Sequence, residues 1–134
     1  MAINIDTALG IYPHTLRLRA ARAEILAANL ANSDTPNFKA RDLDFQAALA
    51  RSLAGTLGDS LTLAATRAGH MDGENAQLGG VVRYRNPMQP SIDGNTVETE
   101  VEQAEFARNA MHYQATLTFL GGRIKTLMTA LRGD

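Results

Sequence analysis

From residue 106 onward, apolar side chains recur at alternating steps of four and three: Phe106, Ala110, Tyr113, Leu117, Leu120, Ile124, Leu127 and Leu131. This is a heptad seam, which keeps one apolar stripe of a helix turned toward a partner helix. The turn signal Asp93-Gly94-Asn95 stands upstream, and Asn95 or Thr96 is suited to cap a helix running to about Leu131. Glu98, Glu100, Glu102 and Glu105 gather at its start, with Arg108, Arg123, Lys125 and Arg132 later, the order that complements a helix dipole. Gly121-Gly122 costs about 1 kcal/mol per glycine relative to alanine, so it either bends the helix or admits a neighbour closely. At about 1.5 Å per residue the helix is about 50 Å long, against a radius of gyration of about 14 Å for a globule of this size. It projects as a rod, and something of equal length must cover its stripe.

A second long helix is expected at the other end of the chain. Leu9, Tyr12, Leu16, Ala23, Leu26 and Leu30 share one stripe, while Ile11, Leu18 and Ile25 form another, so two sides are buried. Pro13 deletes a hydrogen bond from any helix that begins near Asp6, so the helix is either kinked there or regular only from Pro13. It ends near Asn32, an acceptable left-handed terminator, and Pro36 forbids continuation. Thr35-Pro36-Asn37-Phe38 reads as a tight turn, with proline second and Asn37 at the third position, where a type II turn needs positive φ. A short helix follows over residues 43–54, capped by Asp42 or Asp44, with Phe45, Leu49 and Leu53 on one face. Between Gly55 and Gly94 the pattern decays, with seven of the 11 glycines and a brief strand-like run at Val81-Val82-Arg83-Tyr84-Arg85.

Composition supports the helical reading. Of 134 residues, 22 are Ala and 16 Leu, against six Ile and four Val, and Ala and Leu are the strongest apolar helix formers. The fold class is therefore mainly α: an elongated, coiled-coil-like antiparallel pair of long N- and C-terminal helices with an irregular, partly β central insertion. Residues 1–54 plus 92–134 form the helical core, and 55–91 the outward-facing insertion. The length suits one unit. A formal charge of −1 lacks the one-signed footprint of a nucleic-acid or anionic-membrane binder. The absence of cysteine removes disulfides and thiolate chemistry.

Candidate chemistry is sparse. His14, His70 and His112 fall at no ligand spacing, and His70-Met71-Asp72-Gly73-Glu74 reads as a polar loop rather than a metal site. Glu98, Glu102 and Glu105 share a helix face and resemble paired catalytic carboxylates, but without a partner base a solvated acidic face is the simpler reading. Arg17, Arg19 and Arg22 form a basic patch, either ordinarily solvated or a contact for the acidic Glu98–Glu105 face of another subunit. No nucleotide, hydrolase or zinc motif is present. No enzyme activity, cofactor or metal is expected. Two amphipathic helices that cannot cover their own stripes point instead to a chain that orders on assembly, and contacts that do not close build a helical rod.

One stretch is more specific. Asn29-Leu30-Ala31-Asn32-Ser33-Asp34-Thr35-Pro36-Asn37-Phe38-Lys39 resembles the N-terminal signature of bacterial flagellar rod and hook proteins, and Ala40-Arg41-Asp42-Leu43-Asp44-Phe45 narrows the resemblance to proximal rod subunits. The stretch from Pro90 to Val97 and the heptad helix are similar to the same subunits, so about 90 residues are covered. Asn37 stands where many relatives carry glycine, and both tolerate positive φ. The resemblance implies a structural subunit of the periplasmic rod of the flagellar basal body, forming drive shaft and export channel with other rod proteins. It further implies neighbours in FliE and the MS ring, export by the flagellar type III apparatus without a cleavable signal peptide, and no direct membrane insertion. Phe45 and Leu49 match the spacing of that family's export-gate element, against plain packing as the alternative. The assembly contacts fall to Leu16, Leu26 and Leu30 with the heptad seam, and the Asn29–Lys39 turn sets where the chain leaves the core. A subunit of another secretion filament or a coiled-coil adaptor shares the heptads but not the turn.

Overall fold

The computed structural model describes residues 5–54 and 82–133. Along the chain run α1 (Ile5–Leu9), α2 (Tyr12–Ala31), β1 (Arg41–Leu43), α3 (Phe45–Leu53), β2 (Val82–Tyr84) and α4 (Thr99–Arg132). The N-terminal helix is divided at Gly10, whose φ of +63° is left-handed. Pro13 then sits in the first turn of α2, where its missing N–H is no loss. Of the two outcomes Pro13 allowed, the restart is the one adopted.

The 34-residue α4 packs antiparallel to α2. Arg19 and Asn29 of α2 meet Asn109 and Glu102 of α4, and nearer the start of α2 Tyr12 faces Phe119 with ring centroids 6.5 Å apart. The Arg123 guanidinium donates to the Ala8 carbonyl at the end of α1, where a cation suits the dipole. α4 closes on Gly133 at φ +77°, its N–H bonded to the Thr129 carbonyl. Gly121 and Gly122 lie within α4 with open space where a side chain would stand, so among the described residues no neighbour exploits them. The mainly α architecture, with two long terminal helices and a small antiparallel sheet between them, is the one the pattern predicts.

The second face of α2 is covered as its second stripe requires. Leu18 joins Leu43 and Ala48 in a buried cluster, against which Ile25, Phe45, Leu49 and Val82 pack. The short helix is capped by Asp44, whose carboxylate accepts the Ala47 N–H.

Four details depart from the pattern. Asp42, one of two caps expected for a helix over 43–54, and Leu43, its expected first residue, lie instead in the strand Arg41–Leu43, which pairs with Val82–Tyr84 in the register Arg41–Tyr84, Asp42–Arg83, Leu43–Val82. Residues 82–84, grouped with the insertion, are thus tied to the core, while 55–81 lie outside the described residues. Asn32 ends α2 at φ −109°, not left-handed; the left-handed residue is Asn37, at φ 61°. Finally α4 starts at Thr99, not after Asn95 or Thr96, because Asn95 serves a different helix.

Asn95 is buried, and its Nδ2 donates to the carbonyls of Asn32, Ser33 and Thr35 at 3.0, 2.7 and 3.0 Å. It thereby satisfies the orphan acceptors just past α2, while its Oδ1 accepts the Val97 N–H. Around it Asn37 N–H bonds the Asp93 carbonyl, Thr96 N–H bonds the Phe38 carbonyl, and Lys39 Nζ reaches the Gly94 carbonyl. Gly94, at φ +74°, lies so close that an added Cβ would stand 2.8 Å from Asn37 Oδ1. Gly94→Ala is therefore expected to destabilise the chain by about 1–3 kcal/mol, from left-handed strain and the forced shift of Asn37. Urea denaturation followed by circular dichroism checks this, and an unchanged midpoint would refute it.

Candidate functional site

The inner face of α4 is polar. The α4 residues with the least exposure are Glu102, Asn109 and Thr116, spaced seven apart. They lie beside the apolar seam rather than on it. Of the seam, Tyr113, Leu120 and Leu127 are half-buried, while Phe106, Ala110, Leu117, Ile124 and Leu131 are exposed, Leu117 and Ile124 by 38% and 39%. On α2, Leu26 is fully buried and Leu16 and Leu30 are half-buried.

The polar line is held by paired groups. Asn109 donates from Nδ2 to the Arg19 carbonyl at 2.8 Å. Asn29 donates to Glu102 Oε2 at 3.1 Å and to the Arg41 carbonyl at 2.7 Å, while its Oδ1 accepts the Arg41 N–H. Glu102 also takes Arg85 Nη1 at 2.6 Å, and Arg85 Nη2 reaches Asp42 Oδ2 at 2.6 Å. Arg22 grips both oxygens of Asp42 at 2.8 Å and extends to Glu105 Oε2 at 2.9 Å. Two arginines and three carboxylates thus join α2, β1, the residue after β2, and α4.

These pairings correct the solvated acidic face. Glu102 is 0% exposed, Glu105 serves Arg22 and Arg108, and Glu98 accepts the N–H groups of Met88 and Gln89. The Arg22 contact to the acidic face is made within the chain, not to another subunit. Asp42, Arg85 and Asn95 were missed as organising residues, since each acts on a segment distant in sequence. His14 Nδ1 lies 2.5 Å from Ser52 Oγ, joining α2 to α3, and His112 is exposed. The His70–Glu74 loop lies outside the described residues.

The signature residues act as a connected turn. Thr35 Oγ1 donates to Asn32 Oδ1, and the Phe38 N–H closes the turn on the Thr35 carbonyl across Pro36 and Asn37. Phe45 packs in the core cluster beside Leu49 and carries the Arg19 guanidinium 4.0 Å from its ring centroid.

The carboxylates respond to this setting in opposite senses. Burial works against a charged Asp42, but hydrogen bonds from Arg22 and Arg85 outweigh it and hold its pKa below the ordinary value. Burial, aided by Asp42 and Glu105, pushes Glu102 above its ordinary value against the Asn29 hydrogen bond and the Arg85 charge.

Residues 14–39, which hold α2 and most of the signature turn, match the family described as flagella basal body rod protein. Over its whole length the chain is 42% identical to the flagellar basal body rod protein FlgB of Aeromonas hydrophila, covering 99% of that protein. The chain belongs to the FlgB family. The FlgB proteins of Salmonella typhimurium strain LT2 and Escherichia coli K12 are 44% and 40% identical, with 99% and 98% of each chain covered. As a FlgB family member the chain is a structural rod subunit of the flagellar basal body.

Two outcomes follow from the network. Arg22→Ala takes one cation from two partly buried carboxylates, which keep Arg85 and Arg108 respectively, and is expected to cost about 1–3 kcal/mol, whereas Arg108→Ala, at an exposed pair, costs under about 1 kcal/mol; denaturant midpoints compare them. With pH, the raised Glu102 makes stability increase as pH falls from neutral toward its unfolded value of about 4.3. The lowered Asp42 contributes fully above its unfolded value of about 3.9, and that contribution is lost as pH falls through its folded value. Stability should therefore peak in mild acid, and Glu102→Gln should remove the rise between neutral pH and that peak. A rise that persists in Glu102→Gln would rule out Glu102 as its source.

Proposed function

We propose that this rod subunit assembles through the exposed flank of α4, the line Phe106, Ala110, Leu117, Ile124 and Leu131, against helices of neighbouring subunits. The supporting observation is that the most buried positions of α4 are polar, while the apolar flank is left half-exposed. Covering a large apolar side chain is worth about 1.5–3 kcal/mol, so the flank favours assembly over the isolated chain. Tyr113, Leu120 and Leu127 sit at the edge and serve both contacts. Leu16, Leu26 and Leu30 support α2 from within.

The role is structural and non-enzymatic, in the proximal, periplasmic part of the rod. Other rod proteins, FliE and the MS ring are its neighbours, and the flagellar type III apparatus exports it. Phe45 and Leu49 pack in the core cluster, so their use as an export-gate element requires the chain to be unfolded in transit. The Asn29–Lys39 turn, held by Asn95, fixes where the chain departs from the helical core.

Leu117→Asp and Ile124→Asp are expected to cost the isolated chain about 0.5–1.5 kcal/mol, since each side chain is already partly covered, yet abolish rod assembly. Electron microscopy of basal bodies and swimming in soft agar read the effect in a host lacking its own copy of the subunit. Normal swimming in both variants would sink the assignment of the flank.

A further inference from the structure

Next to the apolar flank, α2 and α4 leave an open groove of about 420 Å³, with Ala20, Ala23, Phe106, Ala110 and Tyr113 among its walls and Arg19 as the one charged residue among the described residues that line it. Arg22, one turn on, is saturated by Asp42 and Glu105. Arg19 makes no ion pair among the described residues. Its guanidinium rests on Phe45, touches Asn109 Oδ1 only at 3.5 Å, and keeps a buried Nε with no hydrogen-bond partner. Burial, and then the nearby Arg22 charge, lower its pKa. A partly buried cation in this state is stabilised by an incoming carboxylate.

The complementary pair occurs elsewhere on the same chain. Met88 and Glu100 border an open hollow of about 370 Å³ beside the first turn of α4. Met88 is 86% exposed. Glu98, at the same hollow, is occupied by backbone N–H groups, but Glu100 is exposed and its side chain makes no bond among the described residues. Glu100 precedes Ala110 on α4 by about 15 Å along the axis, so a chain does not fill its own groove with this pair.

We propose that the groove between α2 and α4 receives Met88 of a second copy of this chain, and that Glu100 of that copy pairs with Arg19. This rests on the reading of the chain as a rod subunit and names one of its self-contacts. A flexible thioether fits a shallow groove of alanine and aromatic walls, and the walls shield the ion pair from water. The two surfaces differ, so the contact is head to tail and propagates copy by copy.

The chain has no cysteine, which makes cross-linking clean. In basal bodies from cells producing the full chain with Met88→Cys and Ala110→Cys together, oxidation should give a ladder of dimers and larger species on a non-reducing gel. Each single variant should give none. Within one chain the two positions exceed the roughly 7 Å Cα separation a disulfide tolerates. Arg19→Glu and Glu100→Arg should each cut swimming at least tenfold, and their combination should restore it to within about twofold. Absence of the ladder, or a cross-link to a different rod protein instead of a second copy, would overturn the proposal even if Arg19→Glu disturbs its own fold. Normal swimming in both charge variants while Leu117→Asp fails would overturn this contact and leave the rod reading standing.

Discussion

The Arg22–Asp42–Arg85–Glu102 network is the constraint on which the arrangement depends. It ties together four segments, including a strand pair of only three residues each. A buried pair adds little over an apolar substitute, but removing one partner strands a charge in a poorly solvated site. The network therefore acts less as a source of stability than as a condition: β2 must return beside β1, and α4 must present Glu102 toward α2, or charges are left unpaired. Asn29 extends the same condition to the backbone of Arg41.

Much of the local structure was legible in the sequence because its causes are local. Asn37 at the positive-φ position of its turn follows from the chemistry of that residue, while Pro13 and the pair Asp42 and Asp44 each narrow a helix start or its cap to two alternatives, of which the structure adopts the restart and Asp44. The two stripes of α2 correctly signalled two covered sides. The heptad of α4 was equally visible, but its orientation was not. An apolar stripe is normally read as the face turned inward, whereas here the chain buries Glu102, Asn109 and Thr116 and leaves much of the stripe outside. Nothing at Glu102 itself marks it as buried; the reason lies in Arg85 and Asn29. Asn95 was misread for the same reason, since the carbonyls it satisfies belong to residues 32–35.

This inversion fits a subunit whose apolar core is completed by its neighbours. Had α4 turned its seam fully toward α2, the chain would be a self-sufficient pair of helices with a polar exterior. Satisfying much of the internal interface with hydrogen bonds and ion pairs leaves apolar surface along the 34-residue helix in contact with water, where the hydrophobic effect favours covering it.

The seven-residue spacing of Glu102, Asn109 and Thr116 has a mechanical consequence. Apolar surfaces slide over one another at small cost, because their attraction has no direction. A helix face keyed by Asn109 to the Arg19 carbonyl and by Glu102 to Asn29 and Arg85 tolerates no such slide, since a displacement of a fraction of a turn breaks directional bonds in a buried setting. The pair α2–α4 is thus stiff against axial shear, while contacts made by its apolar flank can adjust. A shaft assembled from such units would bend at the joints between subunits rather than within them.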